Sequence, residues 1–353
     1  MFSGIILYKL FMVLFVFAVS LGVAAYATYG ERKLAAFFQD RYGPDRAGPF
    51  GLLQPLADGL KMIMKEEFIP AAANKWLFIL GPSIAMFVAN MTGVVIPWAR
   101  PMKLADGSTF EFQITDINIG ILYVFGVVSI GVYGIMIGGW ASNNKYSLLG
   151  VLRASSQMIS YELAMGLSIV ALVMMTGTLS LNEIVAQQDA GICNFVYQPL
   201  GFLIFIVCAF AETNRAPFDL PEAESELVGG YHTEFSSMKL GFYLFAEYIN
   251  MFISSALMAS LYFGGYHFPF ESSVIGWIGE NPTRILGFFI FMGKIIGFIM
   301  LFMWVRWTIP RFRYDQLMNL GWKTLLPLSI LNLILTGLGM AIHEGWFNYW
   351  FQK

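Results

Sequence analysis

Between Ala211 and Glu234 the chain reads AETNRAPFDLPEAESELVGGYHTE. Six carboxylates, Glu212, Asp219, Glu222, Glu224, Glu226 and Glu234, surround one cation, Arg215. Acids held this close cannot all ionise without cost, so some bind protons near neutral pH and the group can load and release them. Two further acids sit in strongly apolar stretches: Glu162 in SSQMISYELAMGLSIV and Glu247 in GFYLFAEYINMFISSALM. A carboxylate placed there needs a partner on another segment, a water-filled cavity or a proton. Each makes it a candidate proton carrier. The plainer reading is an acid reaching headgroup water. Lys294, in a later apolar run, is a possible counter-charge for either.

Part of the acidic stretch has an ordinary explanation. Asp219-Leu-Pro-Glu222 reads as a helix start, with Asp219 as cap, Pro221 in the first turn and Glu222 at the capping-box position. Gly229-Gly230 would end that helix, which gives one over about 220–228. It leaves Glu226 unexplained, since Glu222 repels it four residues away on the same face. It also leaves Glu212, at the end of the preceding apolar run. Residue types alone keep two readings open: a solvated loop bound by basic partners, or a loop that handles protons.

The elements that must position these acids are membrane helices. The 353 residues are 57% hydrophobic and 12% charged, against about 25% charged in soluble domains. A span needs about 20 apolar residues, and eight stretches qualify: roughly 5–30, 76–98, 117–140, 158–178, 196–211, 238–263, 286–308 and 325–345. The fifth is short. The first is too long for the apolar core of a cleaved leader and reads as a retained span. The expected fold class is an all-α polytopic membrane protein, a single integral membrane domain over 1–353, with an interfacial amphipathic helix in its first loop. No inverted repeat stands out, which gives no support to a stand-alone proton or cation transporter.

Basic residues sort the loops. The odd-numbered loops carry fourteen Lys and Arg and the even-numbered three, which puts the odd loops in the cytoplasm and both termini on the periplasmic side. The net charge of −2 calls for no nucleic acid, and Cys193 and Cys208 are too few for an iron–sulfur cluster. They read as inert thiols, and no metal site is expected. The first cytoplasmic loop, 31–75, opens with Glu31-Arg32-Lys33. Snorkelling at a span end accounts for Arg32 and Lys33 but not for Glu31. After the turns at Gly43-Pro44 and Gly48-Pro49, Leu53, Leu56, Leu60 and Ile63 share one helix face and Gln54, Asp58, Lys61 and Lys65 another. This helix either anchors the loop at the surface or walls a lipid-level cavity with its apolar face, Asp58 then pointing at buried groups. The acidic loop covers 212–237. The basic loop, 309–324, follows Arg306 and carries Arg311 and Arg313. It reads as positive-inside bias or as counter-charges for the acidic loop or a partner.

Four stretches carry a resemblance: GERKLAAFFQDRYGPDRAGPFGLLQPLADGLKMIMKE, SSQMISYELAMG, AETNRAPFDLPEAESELVGGYHTEFSSMKLGFYLFAEY and RWTIPRFRYDQLMNLGWK. They resemble segments of the H-type membrane component of NADH-quinone oxidoreductase, the eight-helix chain at the heel of respiratory complex I. The resemblance runs from the first span into the last. It implies a subunit of a proton-translocating NADH:quinone oxidoreductase in the cell inner membrane. Such a subunit walls the membrane-level part of the quinone tunnel and starts the proton path. Quinone is then a substrate, and no cofactor or redox centre belongs to this chain. The implied partners are hydrophilic-arm quinone-site subunits, small membrane subunits of the proton path, and lipid. Carried over residue by residue, Glu162, Glu212, Glu226, Glu234 and Glu247 fall at acidic positions of the family's motifs, and Asp58 and Glu66 at acids of the first-loop helix. Arg32, Arg41, Arg215, Arg306 and Arg311 match basic positions at the tunnel and loop contacts, and Phe218 the aromatic of the loop at the cavity. The related membrane subunit of an energy-converting hydrogenase shares the fold, but the full quinone-type first loop argues against it. A purely structural anchor would tolerate Gln at the buried acids.

Overall fold

The computed structural model describes residues 2–103, 109–188, 192–221, 224–269 and 271–343. Helix α1, Phe2–Phe38, is followed by the short α2, Gln54–Met64, and then α3, Lys75–Met91. After α4, Gly120–Ala141, comes the long α5, Lys145–Thr176. Short helices α6, Leu181–Gln187, and α7, Asn194–Tyr197, lead into α8, Pro199–Glu212. A four-residue turn of helix, α9, Glu224–Leu227, precedes α10, Ser237–Tyr262. The chain ends through α11, Glu271–Ile278, α12, Glu280–Thr308, α13, Tyr314–Asn319, and α14, Leu326–His343, the last two joined by a π-helical stretch over Leu320–Leu325. Among the described residues the only strands are a two-residue pair, Met102–Lys103 against Thr109–Phe110. The fold is all-α and polytopic, as composition required.

Seven helices are long and apolar enough to cross a membrane. The eighth expected span is α8, whose 14 residues cover about 21 Å at 1.5 Å per residue, less than the roughly 30 Å of a hydrocarbon core. It still carries the chain from one face of the bundle to the other. At one face the even loops meet: Ile121 N donates to Leu179 O (3.1 Å), and the Asn194 amide to Leu261 O (2.9 Å). At the other the odd loops meet: Asn74 N donates to Ala141 O, and Phe312 N to Pro217 O (both 3.2 Å). Because α8 stops short, the loop after it lies deep. Thr213, Asn214, Arg215, Phe218, Asp219 and Leu220 are all buried. Irregular backbone at that depth survives only when protein satisfies its polar groups. Gln157 of α5, fully buried, does so by donating to Ala211 O (2.7 Å) and Phe218 O (2.8 Å).

Several boundaries depart from expectation. Helix α1 continues to Phe38, so Glu31, Arg32 and Lys33 ride on a helix and do not open a loop. Helix α5 begins at Lys145, well before the expected span, which puts Glu162 mid-helix. It ends where Gly177 adopts φ 70° and closes the last turn. The expected helix over 220–228 does not begin at Asp219; only Glu224–Leu227 is helical, and Glu222 lies outside the described residues. In α2 the apolar Leu53, Leu56, Leu60 and Ile63 face outward, and the side bearing Pro55, Asp58, Gly59 and Met62 faces a cavity. This corrects the expectation that the apolar face would be the wall: lipid or partner surface is the cheaper place for leucines, and the cavity is lined with charge. The two cysteines are free thiols.

Helices α3 and α4 cross at glycines. A Cβ on Gly81 would lie 2.7 Å from the Gly138 Cα and 2.7 Å from the Tyr243 hydroxyl. That approach admits Tyr243 of α10, whose hydroxyl donates to Gly134 O (3.0 Å). Replacing Gly81 by Ala is expected to destabilise the assembled protein by about 1–3 kcal/mol through overpacking. Gly126→Ala, where nothing lies within 4 Å, should leave it unchanged. Thermal unfolding in detergent distinguishes the two.

Candidate functional site

Glu31 sits at the centre of a charged cluster. Its side chain is 8% exposed and meets Arg215 of the post-α8 loop at 3.2 Å. Arg306, near the end of α12, pairs with its other oxygen. The Tyr248 hydroxyl of α10 donates to Glu31 at 2.7 Å, and the Arg215 guanidinium stacks 4.0 Å from the Tyr248 ring. Burial works against the Arg215 charge, but Tyr248, Glu31 and Glu247 outweigh it and hold the guanidinium above its ordinary pKa. Four elements, α1, the post-α8 loop, α10 and α12, thus converge on one carboxylate.

This cluster forms one wall of a cavity of about 320 Å³, the low end of the size usual for small-molecule sites, roughly 300–1,000 Å³. Arg32, Arg41, Asp58 and Arg306 line it together with Glu31 and Tyr248. Asp58 faces Arg32 at 2.6 Å and accepts from Gln54 at 3.1 Å. The rest of the lining is apolar, including Ala25, Leu244, Phe245 and Trp307. An apolar chamber with a ring of fixed charges suits an amphipathic molecule with a polar, hydrogen-bonding head.

From the cluster a line of carboxylates leads into the bundle. Glu247 feels the charge of Arg215 and accepts from the Tyr231 hydroxyl at 2.9 Å. Glu247 and Glu212 line one internal cavity. Glu212 lies close enough to Glu162 for the two charges to repel, and Glu162 accepts from Ser129 of α4. All three acids are half-buried. The order is therefore Glu31, Arg215, Glu247, Glu212, Glu162.

Other expected residues lie elsewhere. Glu226 is exposed and pairs with Arg153 at 2.5 Å, and Glu234 accepts from Asn144 at 2.5 Å, both at the start of α5. Glu66 is exposed and stands away from the cavity; its neighbour Glu67 pairs with Lys239 at 2.8 Å. Arg311 pairs with Asp219 at 2.8 Å and Phe218 packs between Tyr161 and Phe312, so these residues tie the acidic loop to the basic one. The basic loop does supply counter-charges. Asp219 serves Arg311 and not a helix cap. Lys294 pairs with neither membrane acid; its ammonium donates to the carbonyls of Phe263, Gly265 and His267 at 2.6–2.8 Å. Glu31 and Tyr248 were absent from the sequence-derived site residues. The signal for Glu31 was its poor fit to the positive-inside pattern. A lone Tyr in an apolar run offers none.

The NADH dehydrogenase family profile matches residues 10–337. The first of two H-type chains of NADH-quinone oxidoreductase from Cytophaga hutchinsonii is 66% identical over 332 residues, 94% of this chain and 96% of that protein. The H-type chain of the same enzyme from Flavobacterium psychrophilum is 62% identical over 342 residues, covering 97% and 99%. NADH-quinone oxidoreductase subunit 8 of Rhodothermus marinus is 48% identical over 327 residues, covering 90% and 93%.

Glu31→Gln leaves Arg215 buried without its counter-ion, and is expected to lower stability by about 3–5 kcal/mol. Glu226→Gln, which breaks an exposed pair, should cost no more than about 1 kcal/mol. Thermal denaturation of the detergent-solubilised protein measures both, and equal effects would contradict the central place given to Glu31.

Proposed function

The chain belongs to the NADH dehydrogenase family, as a counterpart of the H-type membrane component of NADH-quinone oxidoreductase, and from that premise we propose how it works in a proton-translocating NADH:quinone oxidoreductase. The charged cavity is the membrane-level part of the quinone path, and the carboxylates behind it carry the response to quinone reduction. One observation supports this reading above the rest. Arg215 contacts Glu31 at the cavity wall and also feels Glu247 at the start of the buried line. A change of charge in the cavity is thereby felt at the first buried acid, with no moving part required.

The chemistry follows from that link. Arg32, Arg41 and Arg306 offer fixed donors to a polar headgroup, and the apolar lining accommodates its hydrocarbon part. Reduction of a quinone draws protons and alters the local field. Redistributed charge at Glu31 and Arg306 changes the hold on Arg215, and with it the proton affinity of Glu247. Glu212 and Glu162 follow by mutual repulsion. Glu226, Glu234 and Glu66 belong to the cytoplasmic rim of this path, where hydrophilic-arm subunits dock. Small membrane subunits take the signal onward. The protein lies in the inner membrane as a multi-pass subunit with both ends on the periplasmic side.

In the assembled complex, Glu162→Gln and Glu247→Gln are expected to cut quinone-linked turnover and proton translocation about tenfold or more. Electron transfer to a hydrophilic artificial acceptor should persist. Full turnover and full pumping in both variants would refute the role given to these acids.

A further inference from the structure

Asn250 lies on α10 three residues beyond Glu247, and the same helix face continues through Ser254. Its side chain lines two internal cavities. One is shared with Glu212, Glu247, Asn214, Tyr231 and Tyr243. The other is shared with Glu212, Ser254 and Thr92 and is otherwise apolar. Glu212 and Asn250 thus border both. Each cavity holds about 30 Å³, room for about two water molecules.

The polar groups around the first cavity differ in how they are served. Tyr231 donates to Glu247, and Tyr243 donates to the Gly134 carbonyl. Neither the Glu212 carboxylate nor the Asn250 amide makes a hydrogen bond to any described residue. Both face the cavity at membrane depth, where lipid offers nothing to bond. Water is the remaining partner, and a polar cavity of this size is one that water fills. An amide both donates and accepts, so Asn250 can orient one water toward each carboxylate. It cannot carry the proton itself.

We infer that Asn250 is a positioning residue of the proton path: its amide holds the water that joins Glu247 to Glu212 in the cavity between α10 and the end of α8. A proton leaving the Glu247 carboxyl passes to that water as another leaves the water for Glu212, so charge and atoms balance without a further reactant. The inference rests on the carboxylate line proposed above and deepens it.

The test uses the assembled complex in its native membrane. Asn250→Leu keeps the volume and removes the hydrogen bonds; Asn250→Ser keeps a hydroxyl and admits water. Asn250→Leu is expected to lower quinone-linked turnover about tenfold and roughly to double its solvent deuterium isotope effect. The quinone KM and the rate with a hydrophilic acceptor should not change. Asn250→Ser should stay within about threefold of the wild type. Wild-type turnover in Asn250→Leu overturns the inference, as does an equal fall in both variants or a loss seen only as raised KM. Should Asn250→Leu fail to assemble, an unchanged isotope effect in Asn250→Ser overturns it. Glu247→Gln separates the two readings. If it is inactive while Asn250→Leu is normal, only the water assignment falls. If Glu247→Gln is itself fully active, the carboxylate line falls with it.

Discussion

A buried carboxylate between two guanidiniums is the constraint around which this bundle is organised. Glu31 lies on α1, Arg215 on the loop after α8 and Arg306 on α12. Removing such charges from water costs several kcal/mol for each ion, so the ions must meet and the elements that bear them are fixed in depth and rotation. The Tyr248 ring under Arg215 adds a fourth element, α10, to the same point. Because α10 also bears Glu247 and Asn250, the cluster that stabilises the fold also sets the register of the buried acids.

The short α8 is the second determinant. Its early end brings loop backbone down to membrane depth, and Arg215 comes with it. Gln157 satisfies that backbone from α5, while Asp219 and Arg311 fasten its far end to the loop after α12. A full-length eighth span would carry Arg215 to the surface, out of reach of Glu31. The truncation is therefore what lets a charge sensed in a lipid-level cavity be felt inside the bundle.

Charges at the rim have a different part. Glu226 with Arg153 and Glu234 with Asn144 gather at the start of α5, where water screens them and their pairings contribute little to stability. Their placement suits contact with other subunits more than transfer within this one. Lys294 shows how a membrane-level cation can be satisfied without any acid, by three carbonyls beyond the end of α10.

The sequence by itself determined a great deal. Low charge and recurrent apolar runs are enough for a polytopic helical protein, because only helices or closed barrels satisfy a backbone in lipid. Basic residues divided the loops, and the structure groups those loops at two faces as the division requires. The acids at 162, 212 and 247 stood out because apolar surroundings make any carboxylate conspicuous. What the sequence left undecided was pairing and depth. Nothing in it ties Glu31 to Arg215 and Arg306, far along the chain, shows which face of α2 lines the cavity, or tells that Asp219 meets Arg311 instead of starting a helix. Periodicity records which face of a helix is apolar but not what that face meets. An ion pair between distant segments leaves no pattern along the chain, since its energy arises only when the helices pack and bring the charges out of water together.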